Sequence, residues 1–278
     1  MGIKHENFKK RLNSSFILLS VLLLMFSSKF FYYFITQIIF FLSVWELLRL
    51  NRFNDNRYKY AIIDSNFILT RTKIKIIDYF FLISIGVIYL VFSLTQSILF
   101  LWFFLCIYLI LFLLRLYSPK IILCLFYFSI PFLLLAYYRN TNYFDSFFLF
   151  IITFTIITDV GAYLFGTYFG GKKMLISVSP NKTFSGLFGG IFMPTLFALF
   201  FYNPHSYLIL VFTCIILSLS VQLGDLLVSF LKRKFGVKDS SNLIPGHGGV
   251  LDRLDGLFLL ITIVSILNVL GFNFFFMI

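Results

Sequence analysis

Nine stretches of the chain are dominated by apolar residues, at about 14–28, 30–50, 76–96, 98–117, 121–138, 144–169, 184–202, 206–231 and 254–276. Runs of roughly 20 apolar residues are the length that crosses a hydrocarbon layer roughly 30 Å thick. The pattern therefore predicts an all-α, polytopic integral membrane protein with about nine transmembrane helices. The first two stretches are divided by Lys29 and are short for two full crossings. About five spans fall in residues 1–140, and the remainder in 141–278. The polar segment around Asn51-Arg52-Phe53-Asn54-Asp55-Asn56-Arg57 reads as a solvated connector.

The distribution of basic residues orients these spans. With a cytoplasmic N-terminus every second loop is cytoplasmic, and all of the 23 Lys and Arg except Lys29 and Arg139 then fall on that side. Cytoplasmic loops carry such an excess, and shifting the count by one helix in the middle of the chain would destroy it. Two of these loops, 170–183 and 232–253, lie in the C-terminal half. Lys4, Lys9, Lys10 and Arg11 before an apolar run imitate a secretory signal, but the run ends Ser27-Ser28-Lys29 without a small-x-small cleavage pattern. An uncleaved first helix is expected. Glu6 stands where a myristoylation pattern needs Ser or Thr.

Composition agrees. The chain of 278 residues is 60% hydrophobic and 12% charged, against about 45–50% and about 25% for a soluble domain. The net charge of +12 borders membrane spans, where it sets orientation and attracts anionic headgroups, so no nucleic-acid partner is expected. Cys106, Cys124 and Cys214 sit inside apolar runs without pair spacing and read as small hydrophobes. The 41 Phe are a compositional bias.

Acidic residues are scarce enough to be informative. Glu46, Asp159 and Asp225 lie within or at the ends of apolar spans, where an ionisable group costs about 2.5–3.5 kcal/mol and usually has a functional or pairing reason. For Glu46 a structural pair with a neighbouring cation weighs as much as a functional role. For Asp225 the functional reading is favoured.

Residues Asp159-Val160-Gly161-Ala162-Tyr163 precede glycines at 166, 170 and 171, then Ser179-Pro180-Asn181-Lys182-Thr183. Close helix approach explains the glycines but not the charges. A rigid turn with hydroxyls and an ammonium just before a helix can present N–H groups and a cation to phosphate. The segment 222–256 is stronger. Asp225, Ser229 and Lys232 lie at i, i+4 and i+7 on one helical face, while Asp252 and Asp255 are i, i+3 neighbours opening the last helix. Gly246-His247-Gly248-Gly249 is a side-chain-poor turn where backbone can approach a ligand. Lys232, Arg233 and Lys234 alone would be a positive-inside anchor, but that does not account for Asp252-Arg253-Leu254-Asp255. Polyphosphate chemistry needs carboxylates for Mg2+ and cations for the charge on the transferring phosphorus. These segments supply both.

The segment Ser229 to Asp255 resembles the C-terminal signature of the phosphatidate cytidylyltransferase (CDP-diacylglycerol synthase) family without departure. Asp159-x-Gly-Ala-Tyr163, Ser179-Pro180-x-Lys182-Thr183 and Gly224-Asp225 look like the family's as well, and Trp45-Glu46 does so more weakly. Ser185 departs from a position where the family commonly has Glu. The resemblance implies that CTP and phosphatidic acid give CDP-diacylglycerol and pyrophosphate in phospholipid biosynthesis. It implies that Asp225 and Asp252 hold Mg2+, with Asp255 a third ligand, Asp239 an outside candidate, and a second metal ion left open. Lys182, Lys238 and Arg253 would bind nucleotide or lipid phosphates, and Lys232 and Arg233 would sit near the lipid headgroup or CTP. Asp225, Asp252, Lys238 and Arg253 are the catalytic candidates; Ser179, Thr183, Ser229, His247 and Gly248 join the substrate-binding set, with the role of His247 open. The resemblance further implies a bacterial inner membrane, a cytoplasm-facing site, and a chain that can form homodimers.

Three alternatives stand beside it. One is a CTP-dependent lipid kinase, or a synthase for another lipid phosphate. The second is an ion-coupled transporter built on Asp159 and Asp225. The third, resting on Ser185 alone, is a catalytically dead scaffold. A CDP-alcohol phosphotransferase is disfavoured, because its Asp-Gly…Ala-Arg…Gly…Asp…Asp pattern is absent.

Overall fold

The computed structural model describes residues 2–53, 75–201 and 206–271. The charged connector after Phe53 lies outside them, together with the cations it contributes to the orientation argument. Nine helices are present among the described residues: α1 (Gly2–Ser27), α2 (Lys29–Phe53), α3 (Ile76–Thr95), α4 (Ile98–Leu113), α5 (Pro119–Tyr138), α6 (Phe144–Phe169), α7 (Phe184–Phe201), α8 (Tyr207–Lys234) and α9 (Leu251–Val269). Each overlaps one apolar stretch of the sequence. The protein is an all-α polytopic membrane protein. Among the described residues, six helices are long and apolar enough to cross a bilayer, while the apolar stretches Leu12–Ser27 and Leu99–Leu113 are shorter. Large outward-facing side chains such as Phe30, Phe80 and Trp102, all more than half exposed, need lipid rather than water around them.

The chain forms two compact units, Met1–Asn140 with Lys234–Arg253, and Thr141–Arg233 with Leu254–Ile278. In the first, α2 packs on α1, α3 and α5, and α4 packs on α3 and α5. Its core is aromatic, and two of its buried tyrosines find hydroxyl partners: Tyr89 donates to Thr36 Oγ1 at 3.0 Å and Tyr108 meets Ser129 at 2.8 Å. Such pairing is what a polar atom needs once water is excluded. Asp78 at the start of α3 is fully buried; it accepts the Lys75 amide at 3.0 Å and the Tyr117 hydroxyl.

In the second unit α6 and α7 pack most closely, because both carry glycine where they cross. A Cβ on Gly161 would lie 2.5 Å from the Gly189 carbonyl, and one on Gly189 would lie 2.4 Å from the Phe165 ring. Between these helices the chain forms an antiparallel hairpin, β1 (Lys173–Leu175) and β2 (Ser179–Thr183), pairing Lys173 with Thr183 and Leu175 with Ser179. The sequence pattern had suggested a loop for this segment. Pro180 has no N–H to donate to a ladder and fits a short strand only at an edge.

Candidate active site

The second unit holds a cavity of ≈ 520 Å³ lined from α6 by Asp159, Tyr163 and Gly166, from the hairpin by Asn181, Lys182 and Thr183, and from α8 by Gln222 and Asp225. Three features of the sequence build it. The glycine face of α6 lets α7 approach. Thr183 closes the hairpin and caps α7, accepting the Gly186 amide at 3.1 Å, a common N-cap arrangement. Ser185 donates to the Gly170 carbonyl and meets Thr183 Oγ1 at 2.9 Å. Since the Ser185 proton goes to Gly170, Thr183 donates to Ser185, and one chain of bonds joins the end of α6, the hairpin and the start of α7. The hydroxyl at 185, where the family commonly has a carboxylate, is thus a tie between elements.

The charges meet at the α8 wall. Lys182 forms an ion pair with Asp225, both side chains being about a quarter to a third exposed, and its Nζ lies 3.5 Å from the Gln222 carbonyl. The Asp255 carboxyl of α9 lies near that of Asp225, close enough for each to act on the other's charge. Glycines make that meeting possible. A Cβ on Gly224 would lie 2.7 Å from the Asp255 carbonyl, and one on Gly256 would lie 2.9 Å from Val221, so α8 and α9 touch next to the two carboxyls. Lys232, 8% exposed, lies close enough to act on both carboxyls. Arg233 donates from Nε to the Val178 carbonyl at 3.2 Å, fastening the end of α8 to the hairpin turn. Ser179 and Ser229 are half-buried.

Neighbouring carboxyls of this kind are a donor set for a hard divalent cation, which binds through one or two carboxylates plus phosphates and water, and Lys182 and Lys232 stand beside them. As the side chains stand, no group of three or more His, Cys, Asp or Glu is placed to hold a metal among the described residues.

The first unit contains the other signature residues on the loop between α8 and α9. Asp252 Oδ2 accepts from the Ser240 amide at 2.9 Å and the Gly249 amide at 2.9 Å, and lies 3.0 Å from the Ser240 hydroxyl, whose one proton it contests with Glu46. His247 Nδ1 meets the Ser14 hydroxyl at 2.7 Å, and its carbonyl accepts from Arg253 Nε at 3.1 Å. Gly246 and Gly248 take φ values of +77° and +87°, which side-chain-bearing residues rarely adopt. A bridge between Ile244 and Gly248 closes the turn. Lys238 and Arg253 are exposed. Beneath the loop is Glu46 of α2, 1% exposed, which accepts from Ser240, Ser241, Val250 and Leu251.

Among the sequence candidates, Lys182, Asp225, Asp255 and Lys232 come together in the second unit. Asp252, Arg253, His247 and Gly248 are parts of one hydrogen-bonded loop in the first. Sequence reasoning did not select Gln222, which lines the cavity and donates to the Leu187 carbonyl at 3.3 Å, although an amide inside an apolar run was a signal for it. Ser240 and Ser241 were also passed over; their contacts lie in distant sequence.

A family model described as "Cytidylyltransferase family" matches residues 9–270. A phosphatidate cytidylyltransferase of Staphylococcus epidermidis is 44% identical over 123 residues, which are 43% of this chain and 47% of the relative. One of Staphylococcus aureus is 47% identical over 116 residues, 40% of this chain and 44% of the relative. One of Staphylococcus haemolyticus is 46% identical over 116 residues, with the same coverage. The aligned stretch spans about half the length of the relatives it matches.

Proposed function

From a chain that belongs to the cytidylyltransferase family, we propose the transfer of a cytidylyl group from CTP to phosphatidic acid, giving CDP-diacylglycerol and pyrophosphate. A phosphate oxygen of the lipid attacks the α-phosphorus of CTP, the bond from that phosphorus to the bridging oxygen breaks, and pyrophosphate leaves with the bonding electrons. The observation that carries this reading is the Lys182–Asp225 ion pair on the wall of a cavity of ≈ 520 Å³, with the Asp255 carboxyl near Asp225. It combines an ammonium for phosphate oxygens with a carboxyl pair for a hard divalent cation.

Asp225 and Asp255 would hold Mg2+. When bound there, the cation supplies positive charge to the phosphate oxygens and screens them from the carboxylates. Lys182 projects from the hairpin into the cavity and can exchange its carboxylate partner for a phosphate oxygen without moving its backbone. Lys232 is buried beside the pair and offsets its negative charge. Within the first unit, Lys238 and Arg253 are exposed cations suited to phosphate, and Asp252 holds their loop through its Oδ2 contacts. The asymmetric distribution of Lys and Arg in the sequence supports a site on the cytoplasmic face, and the bacterial relatives support a bacterial plasma membrane.

The test is an assay of the purified protein with phosphatidic acid, Mg2+ and CTP labelled at the α or the γ phosphorus. The α label is expected in the lipid product and the γ label in pyrophosphate. The γ label on lipid would indicate a kinase instead, and transfer of neither would refute the assignment.

A further inference from the structure

We infer that Glu46 is a positioning residue for this reaction, acting through the 240–251 loop without touching substrate; the inference rests on the proposed cytidylyl transfer. Glu46 lies in α2, far in sequence from the signature, and its carboxylate is 1% exposed. Each of its oxygens takes one hydroxyl and one amide. Oε1 accepts from Ser241 Oγ at 2.6 Å and from the Val250 amide at 3.0 Å. Oε2 accepts from Ser240 Oγ at 2.9 Å and from the Leu251 amide at 2.9 Å. One side chain therefore holds both ends of the loop.

Val250 and Leu251 are the last loop residue and the first residue of α9. Their amides belong to the unsatisfied donors that every helix start presents, and a carboxylate there is favoured by the helix dipole as well. The next residues of α9 are Asp252-Arg253-Leu254-Asp255. The placement of Asp252 and Arg253, which lie in the same unit as Glu46, depends on these contacts. The loop is cut to fit: a Cβ on Gly249 would lie 1.9 Å from Ser240 Oγ and 2.7 Å from both Glu46 oxygens. Ser240 links this anchor to Asp252, since its amide and hydroxyl both lie within hydrogen-bond distance of Asp252 Oδ2.

The pattern of donors shows why a carboxylate is needed. A serine hydroxyl can rotate to suit an amide group, but a backbone N–H cannot. In Glu46→Gln the side-chain NH2 would face a backbone N–H in either orientation, so one of the two amide bonds must be lost at unchanged size. A displacement of about 1 Å in a reacting group costs about a hundredfold in rate. Glu46→Gln is expected to purify as a folded protein, with kcat reduced about a hundredfold and KM for CTP changed by less than about threefold. Amide exchange should quicken at Val250 and Leu251 and remain as in wild type across α3 to α5. Gly249→Ala, which keeps Glu46 but forces the loop off it, should give the same split and replaces the first variant if Glu46→Gln does not fold. Wild-type kcat in Glu46→Gln or in Gly249→Ala, or faster exchange spread over the whole first unit, would overturn the inference. Inactive wild-type protein would instead refute the transfer reaction itself.

Discussion

Removing the Lys182 ammonium separates its two contributions. In the folded protein it pairs with Asp225, but both side chains are about a quarter to a third exposed, so the pair is closer to a surface ion pair, worth about 0–1 kcal/mol, than to a buried one. Lys182→Ala should therefore insert and fold, with its thermal midpoint within a few degrees of wild type. Toward CTP the same ammonium makes a charge-assisted hydrogen bond to phosphate, worth about 1.5–3 kcal/mol. At about 1.4 kcal/mol per factor of ten, KM for CTP should rise about tenfold to a hundredfold. A ground-state contact kept in the transition state changes KM and leaves kcat nearly alone, so kcat should fall by less than about fivefold. The assay is initial-rate kinetics in lipid nanodiscs, with CTP varied at saturating phosphatidic acid and Mg2+. An unchanged KM together with an unchanged kcat would refute the phosphate contact. A kcat loss of about a thousandfold at unchanged KM would assign Lys182 to the transition state alone.

Asp252→Asn keeps one side-chain oxygen for the Ser240 and Gly249 contacts but loses the charge; turnover should fall at least about a hundredfold with insertion and yield preserved, and full activity would remove Asp252 from the chemistry. Thr183→Val removes the acceptor for the Gly186 amide, so the thermal midpoint should drop by about 2–4 °C, as expected for a lost cap of about 1 kcal/mol; an unchanged midpoint would show that the cap carries no stability. Gly189→Ala drives a methyl against Phe165 and the Gly161 carbonyl and should destabilise by about 1–3 kcal/mol in a denaturation series, whereas wild-type stability would show that α6 and α7 can part without cost.

The helices were legible because their signal is local. An apolar run as long as Phe144–Phe169 has one solution in lipid, and its limits in the sequence match those of the helix. The apolar pattern starts the last helix at 254, whereas α9 begins at Leu251, because the charged residues opening that helix are polar and an apolar count skips them. The β hairpin was missed for a related reason: three- and five-residue strands carrying Lys, Ser, Pro and Asn have no hydrophobic period to detect. At the site, Asp225 and Lys232 were legible from helical spacing and Lys182 from its turn. The contact of Asp225 with Asp255 was not, since it depends on Gly224 and Gly256 bringing two helices together. Glu46 is the extreme case, with partners some two hundred positions along the chain; a single sequence carries no trace of such a pairing. Thr183 and Asp252 read as chemistry in the sequence, and the structure shows that each also holds local structure, because a hydroxyl or carboxylate at a helix start serves the backbone first.

Binding of Mn2+, a paramagnetic stand-in for Mg2+, to the purified protein in the presence of CTP tests the carboxyl pair most directly. Electron paramagnetic resonance should show a tightly bound ion in wild type whose affinity falls at least about tenfold in both Asp225→Asn and Asp255→Asn, as expected when one charged ligand of a hard cation is neutralised. Equal Mn2+ affinity in wild type and both variants would contradict the account, because the two neighbouring carboxyls would then have no part in holding the ion.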